Sequence, residues 1–145
     1  MGSLDIIPYS ITGTLKQYNA VIFDLGDVLF TWSLSSPQSL PVKTLRNILC
    51  SVHWLEYEKG NLTEDETYYL VAQEFGVLAD DVRSSCEAAR NTLQSNPKIL
   101  EVIRELKESG LAVYAMSNIS APDWKFLSAK CTVEEWALFD YIFTS

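Results

Sequence analysis

Cysteine and histidine are scarce in this chain of 145 residues. The three cysteines, Cys50, Cys86 and Cys131, are widely spaced, odd in number and form no C-x-x-C pair. This pattern argues against a disulfide framework and a zinc site, and it favours a reducing, intracellular setting. The single histidine, His53, excludes a histidine cluster, and we interpret it as a surface or packing residue rather than a catalyst.

Positive charge and long apolar runs are also lacking. Eleven Lys and Arg residues stand against 19 Asp and Glu residues, which gives a net charge of −8. Without a basic patch, neither nucleic acid nor an anionic membrane surface is an expected partner, and phosphate would have to be bound through a metal ion and backbone amides. No apolar run approaches the ~18 residues of a membrane span, and no signal peptide opens the chain. We therefore expect a soluble, cytoplasmic protein.

Three apolar segments are predicted to be strands. Residues 20–25 form a continuous apolar run with β-branched members, which is typical of a strand buried on both faces. Residues 111–116 repeat this pattern, and residues 141–145 form the third segment. With 48% hydrophobic and 21% charged residues, the chain has the composition of a globular protein, and its length fits one domain.

Helical signals fill most of the sequence between these strands. Residues 34–95 show helical spacing and a capping box formed by Thr63 and Glu66, and they are predicted to be a helical insert without strands. Asn96 and Pro97 begin a further predicted helix over residues 97–109. The order of elements predicts an α/β fold with a parallel, Rossmann-like sheet, whose core is formed by residues 1–33 and 96–145.

Polar residues follow two of the predicted strands. Asp24 ends the first strand and is followed by Gly26, while Ser117 and Asn118 end the second. Ligands of parallel sheets bind at the carboxyl ends of the strands, and glycine lets a backbone approach an anion closely. Each of these polar residues could also be a simple cap of a turn or helix. Their coincidence at one edge of the sheet favours a phosphate site.

Two stretches carry a resemblance to a known family. "VIFDLGDVLF" (residues 21–30) resembles motif I, and "VYAMSNIS" (residues 113–120) resembles motif II, of the haloacid dehalogenase-like hydrolase superfamily. The helical insert lies where that superfamily has its small C1 cap. "YEKGNLTEDE" and "NPKILEVIRELKESG" are similar to the sugar-phosphate phosphatase branch. The resemblance covers about residues 18–145.

The resemblance implies phosphoryl transfer from a small organic phosphate or diphosphate through an aspartyl-phosphate. Asp24 would be the nucleophile, and one of its oxygens would bind Mg²⁺ together with the carbonyl oxygen of Gly26. The amides near Leu25 and Gly26, with Ser117 and Asn118, would bind the phosphate oxygens. The cap, residues 34–95, would close over the site and select the substrate.

The chain departs from the family pattern at two places. The general acid of most family phosphatases stands two residues after the nucleophile, where this chain has Gly26. Asp27, one position later, is the candidate that remains. The family's motif III lysine and motif IV acids would follow Ser145, so we expect an incomplete site that binds Mg²⁺ weakly. We accordingly expect negligible hydrolysis of p-nitrophenyl phosphate by residues 1–145, and turnover abolished by Asp24→Asn would contradict this.

Three alternative functions remain open. "AVIFDLGDVLFTWS", "EYEKG" and "AMSNISAPD" are also similar to the N-terminal part of fungal drimane-type sesquiterpene synthases, which implies handling of a prenyl diphosphate in terpenoid biosynthesis. A 2-haloacid dehalogenase would use Asp24 without a metal, so EDTA would spare its activity. A non-catalytic binding or dimerisation remnant is the third alternative. The resemblance also implies that residues 20–25 lack an outer neighbouring strand, so we expect a homo-oligomer unless residues 5–16 cover that edge.

Overall fold

The structure is a computed structural model that describes residues 18–32 and 39–145. Residues 5–16 and the predicted boundary between residues 33 and 34 lie outside that part of the chain. In chain order the elements of the described part are β1 (Ala20–Asp24), β2 (Phe30–Thr31), α1 (Val42–Leu49), α2 (Val52–Glu58), α3 (Glu64–Phe75), α4 (Ala79–Thr92), β3 (Gln94–Ser95), α5 (Pro97–Glu108), β4 (Ala112–Ser117), α6 (Ala121–Ser128), α7 (Val133–Trp136) and β5 (Tyr141–Thr144).

A parallel three-stranded sheet forms the centre of the α/β fold. Its strand order is β1-β4-β5, with Asp24 opposite Met116 and Ser117 opposite Thr144. The predicted α/β class and the parallel sheet are therefore confirmed. Within the described residues β1 pairs with β4 alone, so the strand that carries Asp24 is an edge strand.

The expectation that β1 is buried on both faces is wrong. Its side chains alternate between exposed and half-buried, and Ile22 is 57% exposed. The register places Ile22 beside Tyr114 and Tyr141 on one face of the sheet. That face is open because the helices α5 and α6 pack on the other face, where their apolar side chains cluster with Val113 and Ala115 of β4.

The helices α1–α4 form a separate bundle, here called the helical cluster. It has its own hydrophobic core, formed by ten buried residues: Leu40, Leu45, Ile48, Trp54, Tyr57, Tyr68, Val71, Ala72, Val82 and Cys86. The second core lies between the sheet and α5 and α6. Residues 34–95 were expected to contain no strand, and this is wrong at their end. There β3 pairs antiparallel with β2, and Asn96 N donates to Leu29 O at 2.7 Å, so the exit from the helical cluster is tied to the turn after β1.

Local capping explains the helix boundaries. The capping box of Thr63 and Glu66 is formed, and Gly76 ends the same helix in the left-handed conformation, at φ 64°. Asn96 caps α5, whose first residue is Pro97. The capping box and the Asn96–Pro97 pair were readable from the sequence because each depends on residues within three or four positions of the helix start.

Other sequence-based expectations concern single residues and membrane segments. His53 is half-buried and faces Glu74 across 3.7 Å. The three cysteines are free thiols, with Cys86 buried in the helical cluster. In the part of the chain that the structure describes, no helix is both long and apolar enough to cross a bilayer.

The exposed edge and face of the sheet predict self-association. Within the described residues, one side of β1 has no partner strand. The sheet also exposes apolar side chains, of which Ile22, Met116 and Tyr141 are each at least half exposed, and such edges recruit a further strand. We expect sedimentation at micromolar concentration to show a dimer or larger assembly of the 16.4 kDa chain. Ile22→Lys should shift the assembly toward monomer. A clean wild-type monomer that melts cooperatively would contradict the prediction.

Candidate functional site

The carboxyl ends of β1 and β4 bring the predicted site residues together. Asp24 is the last residue of β1 and lies opposite Met116, so it is next to Ser117, the last residue of β4. Asp24 is exposed to solvent, whereas Ser117 is only 8% exposed. The predicted convergence of the two motifs at one edge of the sheet is therefore present.

The turn after β1 folds around the Asp24 side chain. The Gly26 amide donates a hydrogen bond to Asp24 Oδ1 at 3.2 Å, and Phe30 N closes the turn by donating to Leu25 O at 2.8 Å. The Asp24 carboxylate therefore already accepts a hydrogen bond from the Gly26 amide, which was predicted to bind phosphate. A phosphate bound there would compete with, or replace, this hydrogen bond.

Gly26 is not required by the fold of the described residues. Its φ is not in the left-handed region, and a Cβ built on it would meet no atom within 4 Å. Neither backbone conformation nor internal packing explains the glycine. A glycine at this position leaves space beside the backbone that the phosphate predicted to bind there could use.

This reasoning gives a prediction for Gly26→Ala. We expect its free energy of unfolding to be unchanged or raised by up to ~1 kcal/mol, because the alanine fits and restricts the unfolded chain. We expect binding of an organic phosphate to weaken by about tenfold, because the methyl group occupies the ligand's space. Urea unfolding and a binding titration of the same protein measure both. Gly76→Ala is the matched control, since Gly76 has φ 64° and its substitution should lower stability with binding intact. Gly26→Ala that binds as wild type would contradict the interpretation.

Asp27 has an unusual backbone conformation. It is exposed and adopts φ 55°, which places it in the left-handed region that aspartate tolerates better than most residues. The turn therefore points it in a direction different from that of a residue on an extended strand. Its predicted role as a general acid stays a prediction.

The end of β4, which is the second part of the site, is held in place by Ser145. Ser117 O accepts a hydrogen bond from Ser145 N at 3.3 Å, and Ile119 N donates to Ser145 Oγ at 3.0 Å. Ser145 Oγ also lies 2.9 Å from the carbonyl oxygen of Glu58, to which it can donate. These contacts connect the end of β4 with the end of α2 in the helical cluster. Asn118 between them remains exposed.

A cavity of about 240 Å³ lies between the helical cluster and the sheet edge. Gly26 and Asn118 of the predicted site line it, together with Glu58 and Ser120. Most of its wall is apolar and is formed by Phe30, Trp32, Leu45, Leu49, Trp54, Cys86, Ala89, Leu93, Ile119 and Leu127. The cavity thus combines a polar margin at the strand ends with an apolar interior.

Arg90 is a buried cation at the wall of this cavity. Its guanidinium donates to Asp123 at 2.7 Å and to Glu64, and it lies 4.8 Å from the centre of the Phe126 ring. Burial opposes its charge, but the two carboxylates outweigh burial and raise the pKa of Arg90 above its usual value. Since Arg90 belongs to α4 and Asp123 to α6, this ion pair links the helical cluster to the core.

The tyrosines around Arg90 complete the network. Tyr57 and Tyr68 both donate to Glu64, at 3.3 and 3.0 Å, and burial raises the pKa of each phenol. Burial tends to raise the pKa of Glu64, but hydrogen bonds from Arg90 and the tyrosines hold it below its usual value. Glu64 is thus an anion, and the positive charge of Arg90 is balanced by the carboxylates of Glu64 and Asp123. Arg90 is therefore not free to bind a phosphate.

Glu58 and Arg90 were not identified from the sequence. Arg90 follows Val82 and Cys86 at four-residue spacing on the buried stripe of α4, and a cation on such a stripe is a usable signal of a buried ion pair. Glu58 offers no such signal, because its position beside Asn118 depends on the tertiary contact with Ser145.

The oxygen ligands predicted for Mg²⁺ are of a suitable chemical type, but they are too few to complete its coordination. The Asp24 carboxylate and the Gly26 carbonyl are hard oxygen donors, the type that Mg²⁺ prefers. Mg²⁺ is coordinated by about six ligands. Among the described residues, no group of three or more His, Cys, Asp or Glu side chains gathers at one point. Water and phosphate oxygens would have to supply the other ligands.

Comparison with known proteins identifies relatives in sequence and in fold. No protein-family model matches the chain. It is 44% identical over 131 residues to the drimenol cyclase drtB of Aspergillus calidoustus, covering 87% of this chain and 24% of drtB. It is 34% identical over 128 residues to the sesquiterpene phosphatase astK of Aspergillus oryzae, covering 88% of this chain and 64% of astK. The chain thus spans less than two thirds of either relative.

Solved structures share the fold. A haloacid dehalogenase family enzyme of Bacteroides thetaiotaomicron, crystallised with magnesium and inorganic phosphate, aligns over 89% of this chain and 69% of its own, with a TM-score of 0.59 at 19% identity. An L-2-haloacid dehalogenase of Xanthobacter autotrophicus aligns over 88% of this chain and 57% of its own, with a TM-score of 0.55 at 18% identity. The chain therefore has the haloacid dehalogenase-like fold, and it is related in sequence to the fungal drimenol cyclase and sesquiterpene phosphatase.

Proposed function

We propose that this chain is a phosphohydrolase region that binds a phosphate or diphosphate ester with an apolar, sesquiterpenoid tail. The observation that carries the proposal is the cavity, whose apolar interior begins at Gly26 and Asn118. The sesquiterpene names of both sequence relatives support the same class of ligand. The helical cluster would serve as the cap that selects this tail.

The chemistry follows from the residues at the strand ends. Asp24 would attack phosphorus and form the covalent intermediate, while Ser117, Asn118 and the amides of Leu25 and Gly26 would bind the phosphate oxygens. Mg²⁺ held by Asp24 and Gly26 would neutralise phosphate charge, and the solved relative with magnesium and phosphate supports this cofactor. Asp27 remains a candidate acid beside them.

The apolar wall explains the expected preference for a long tail. Each buried CH₂ group contributes about 0.8 kcal/mol, so a tail that enters the cavity raises affinity strongly. The cavity is slightly smaller than the roughly 300 Å³ at which drug-sized sites begin, so a full tail would extend toward solvent or separate the helical cluster from the core.

Tryptophan fluorescence tests the proposal without turnover, because Trp32 and Trp54 line the cavity. With Mg²⁺ present, we expect farnesyl phosphate to bind at least ~10-fold more tightly than glycerol 1-phosphate or farnesol, since only it fills both parts of the site. Leu49→Glu in the cavity wall should weaken binding, whereas Leu55→Glu on the exposed side of α2 should not. Equal affinity for glycerol 1-phosphate would contradict the role of the cavity, and equal affinity for farnesol would contradict the role of the strand ends.

Two related functions are separated by the same assay. Tighter binding of farnesyl diphosphate than of the monophosphate would favour the role of a diphosphate-handling part of a sesquiterpene synthase, as the similarity to drimenol cyclase suggests. Activity on a 2-haloacid that persists in EDTA would favour the dehalogenase alternative, which the shared fold keeps open.

A further inference from the structure

Glu58 lines the same cavity as Gly26 and Asn118. Glu58 is the last residue of α2, and its carbonyl oxygen is held by Ser145 Oγ at 2.9 Å. Because Ser145 Oγ also contacts Ile119, the residue after Asn118, the end of α2 is fixed beside the end of β4. Glu58, an acidic residue of the helical cluster, is thereby held at the cavity that two of the predicted phosphate-binding residues line.

We propose that Glu58 donates the proton to the oxygen of the leaving group, in place of the acid that is absent at Gly26. The inference rests on the proposed function and names a further catalytic residue for it. Glu58 suits the role because it lines the cavity from α2 of the helical cluster, which would bind the leaving group's tail. Asp24, the proposed nucleophile, ends β1 of the sheet, two residues before Gly26 of the cavity wall.

The surroundings of Glu58 favour its neutral form. Burial and the nearby Asp123 carboxylate raise its pKa above the usual value for glutamate, while a hydrogen bond with Trp54 partly opposes them. Arg90 also lines the cavity, but its charge is balanced by Asp123 and Glu64. A carboxyl group that stays protonated to higher pH is suited to act as an acid.

The proposed step balances. As Asp24 attacks phosphorus, the bond from phosphorus to the alkyl oxygen breaks and its electron pair passes to that oxygen. The oxygen takes the proton of Glu58 and leaves as an alcohol. The Glu58 carboxylate then accepts a proton from the water that hydrolyses the aspartyl-phosphate, which restores the acid.

Binding of farnesyl phosphate at pH 5 and pH 8 tests the position and protonation of Glu58. We compare the wild type with Glu58→Gln, whose amide remains a donor but does not ionise, and with Glu56→Gln. Glu56 is on the same helix, but its carboxylate is engaged by Lys59 and Asn61. Between the two pH values we expect the affinity of the wild type to fall about tenfold relative to Glu58→Gln, because ionised Glu58 loses its hydrogen bond to the ester and repels the phosphate.

The outcomes separate this inference from the proposed function. Equal affinity of wild type and Glu58→Gln at pH 5 shows that the variant is folded. The control Glu56→Gln should bind farnesyl phosphate with the affinity of the wild type at both pH 5 and pH 8. The ligand's own ionisation affects all three proteins alike. Parallel profiles for wild type and Glu58→Gln overturn the role of Glu58 and leave the proposed function standing. Absence of binding by all three proteins overturns both.

The choice of leaving group tests the proton transfer itself. In a form of the protein that hydrolyses farnesyl phosphate, Glu58→Gln should lower its turnover by ~10²-fold and that of p-nitrophenyl phosphate by less than about threefold, because nitrophenolate leaves without a proton. Equal losses for the two substrates would overturn the assignment.

Discussion

In any form of the protein that hydrolyses a phosphate ester, Asp24→Asn is expected to lower the turnover of that ester at least ~100-fold more than Asp27→Asn does. The substitution removes the proposed nucleophile and with it the covalent path, because an amide oxygen does not form a stable bond to phosphorus. Asp27 is exposed and in the left-handed conformation. Its substitution should lower turnover only if its carboxyl group reaches the leaving group. An acid placed there increases the rate by ~10²–10⁴-fold.

Single-turnover kinetics with both variants measure this difference. The two substitutions are matched, because each replaces an exposed carboxylate of the same turn by its amide. Their free energies of unfolding should differ from the wild type by less than ~1 kcal/mol, which keeps folding out of the comparison. Equal loss of turnover in the two variants would make Asp27 the acid and remove the need for Glu58 in that role.

Arg90→Met is expected to lower the free energy of unfolding by about 3–5 kcal/mol. Arg90 is 8% exposed, and its removal leaves Glu64 and Asp123 without their cation at the boundary between helical cluster and core. Removing one partner of a buried ion pair is costly because the other charge stays desolvated. The ion pair with Arg90 helps to hold the pKa of Glu64 below its usual value, so the loss should be smaller at acid pH, where protonation of Glu64 removes its uncompensated charge.

Arg83→Met is the control for this prediction. Arg83 is on the same helix and pairs with Asp65 at 2.8 Å, but Asp65 is 81% exposed. Exposed pairs contribute only about 0–1 kcal/mol. Urea unfolding of both variants gives the comparison. Equal small losses would show that Arg90 does not hold the helical cluster against the core.

The fold was largely predictable because its signals are local. The strands β1, β4 and β5 follow from short apolar runs, and Asp24 and Ser117 follow from their position at strand ends. The exposure of Ile22 was not predictable, because an apolar run does not reveal how many of its faces other elements cover. Whether a strand is central or at an edge is a property of the whole sheet.

The site was only partly predictable for the same reason. Residues adjacent in sequence to the strand ends were found, whereas Glu58, Arg90 and Asp123 reach the cavity from α2, α4 and α6. Their convergence depends on how the helical cluster packs on the core. The sequence shows their residue types, but not the contact between Ser145 and Glu58 that fixes the arrangement.

The central claim is that the strand ends and the apolar cavity form one site. An NMR titration of the ¹⁵N-labelled protein with farnesyl phosphate and Mg²⁺ tests it most directly. The account predicts that the amides of Gly26 and Asn118 and the indole signals of Trp32 and Trp54 shift together, with one dissociation constant. Shifts confined to the indole signals, or two independent dissociation constants, would contradict it.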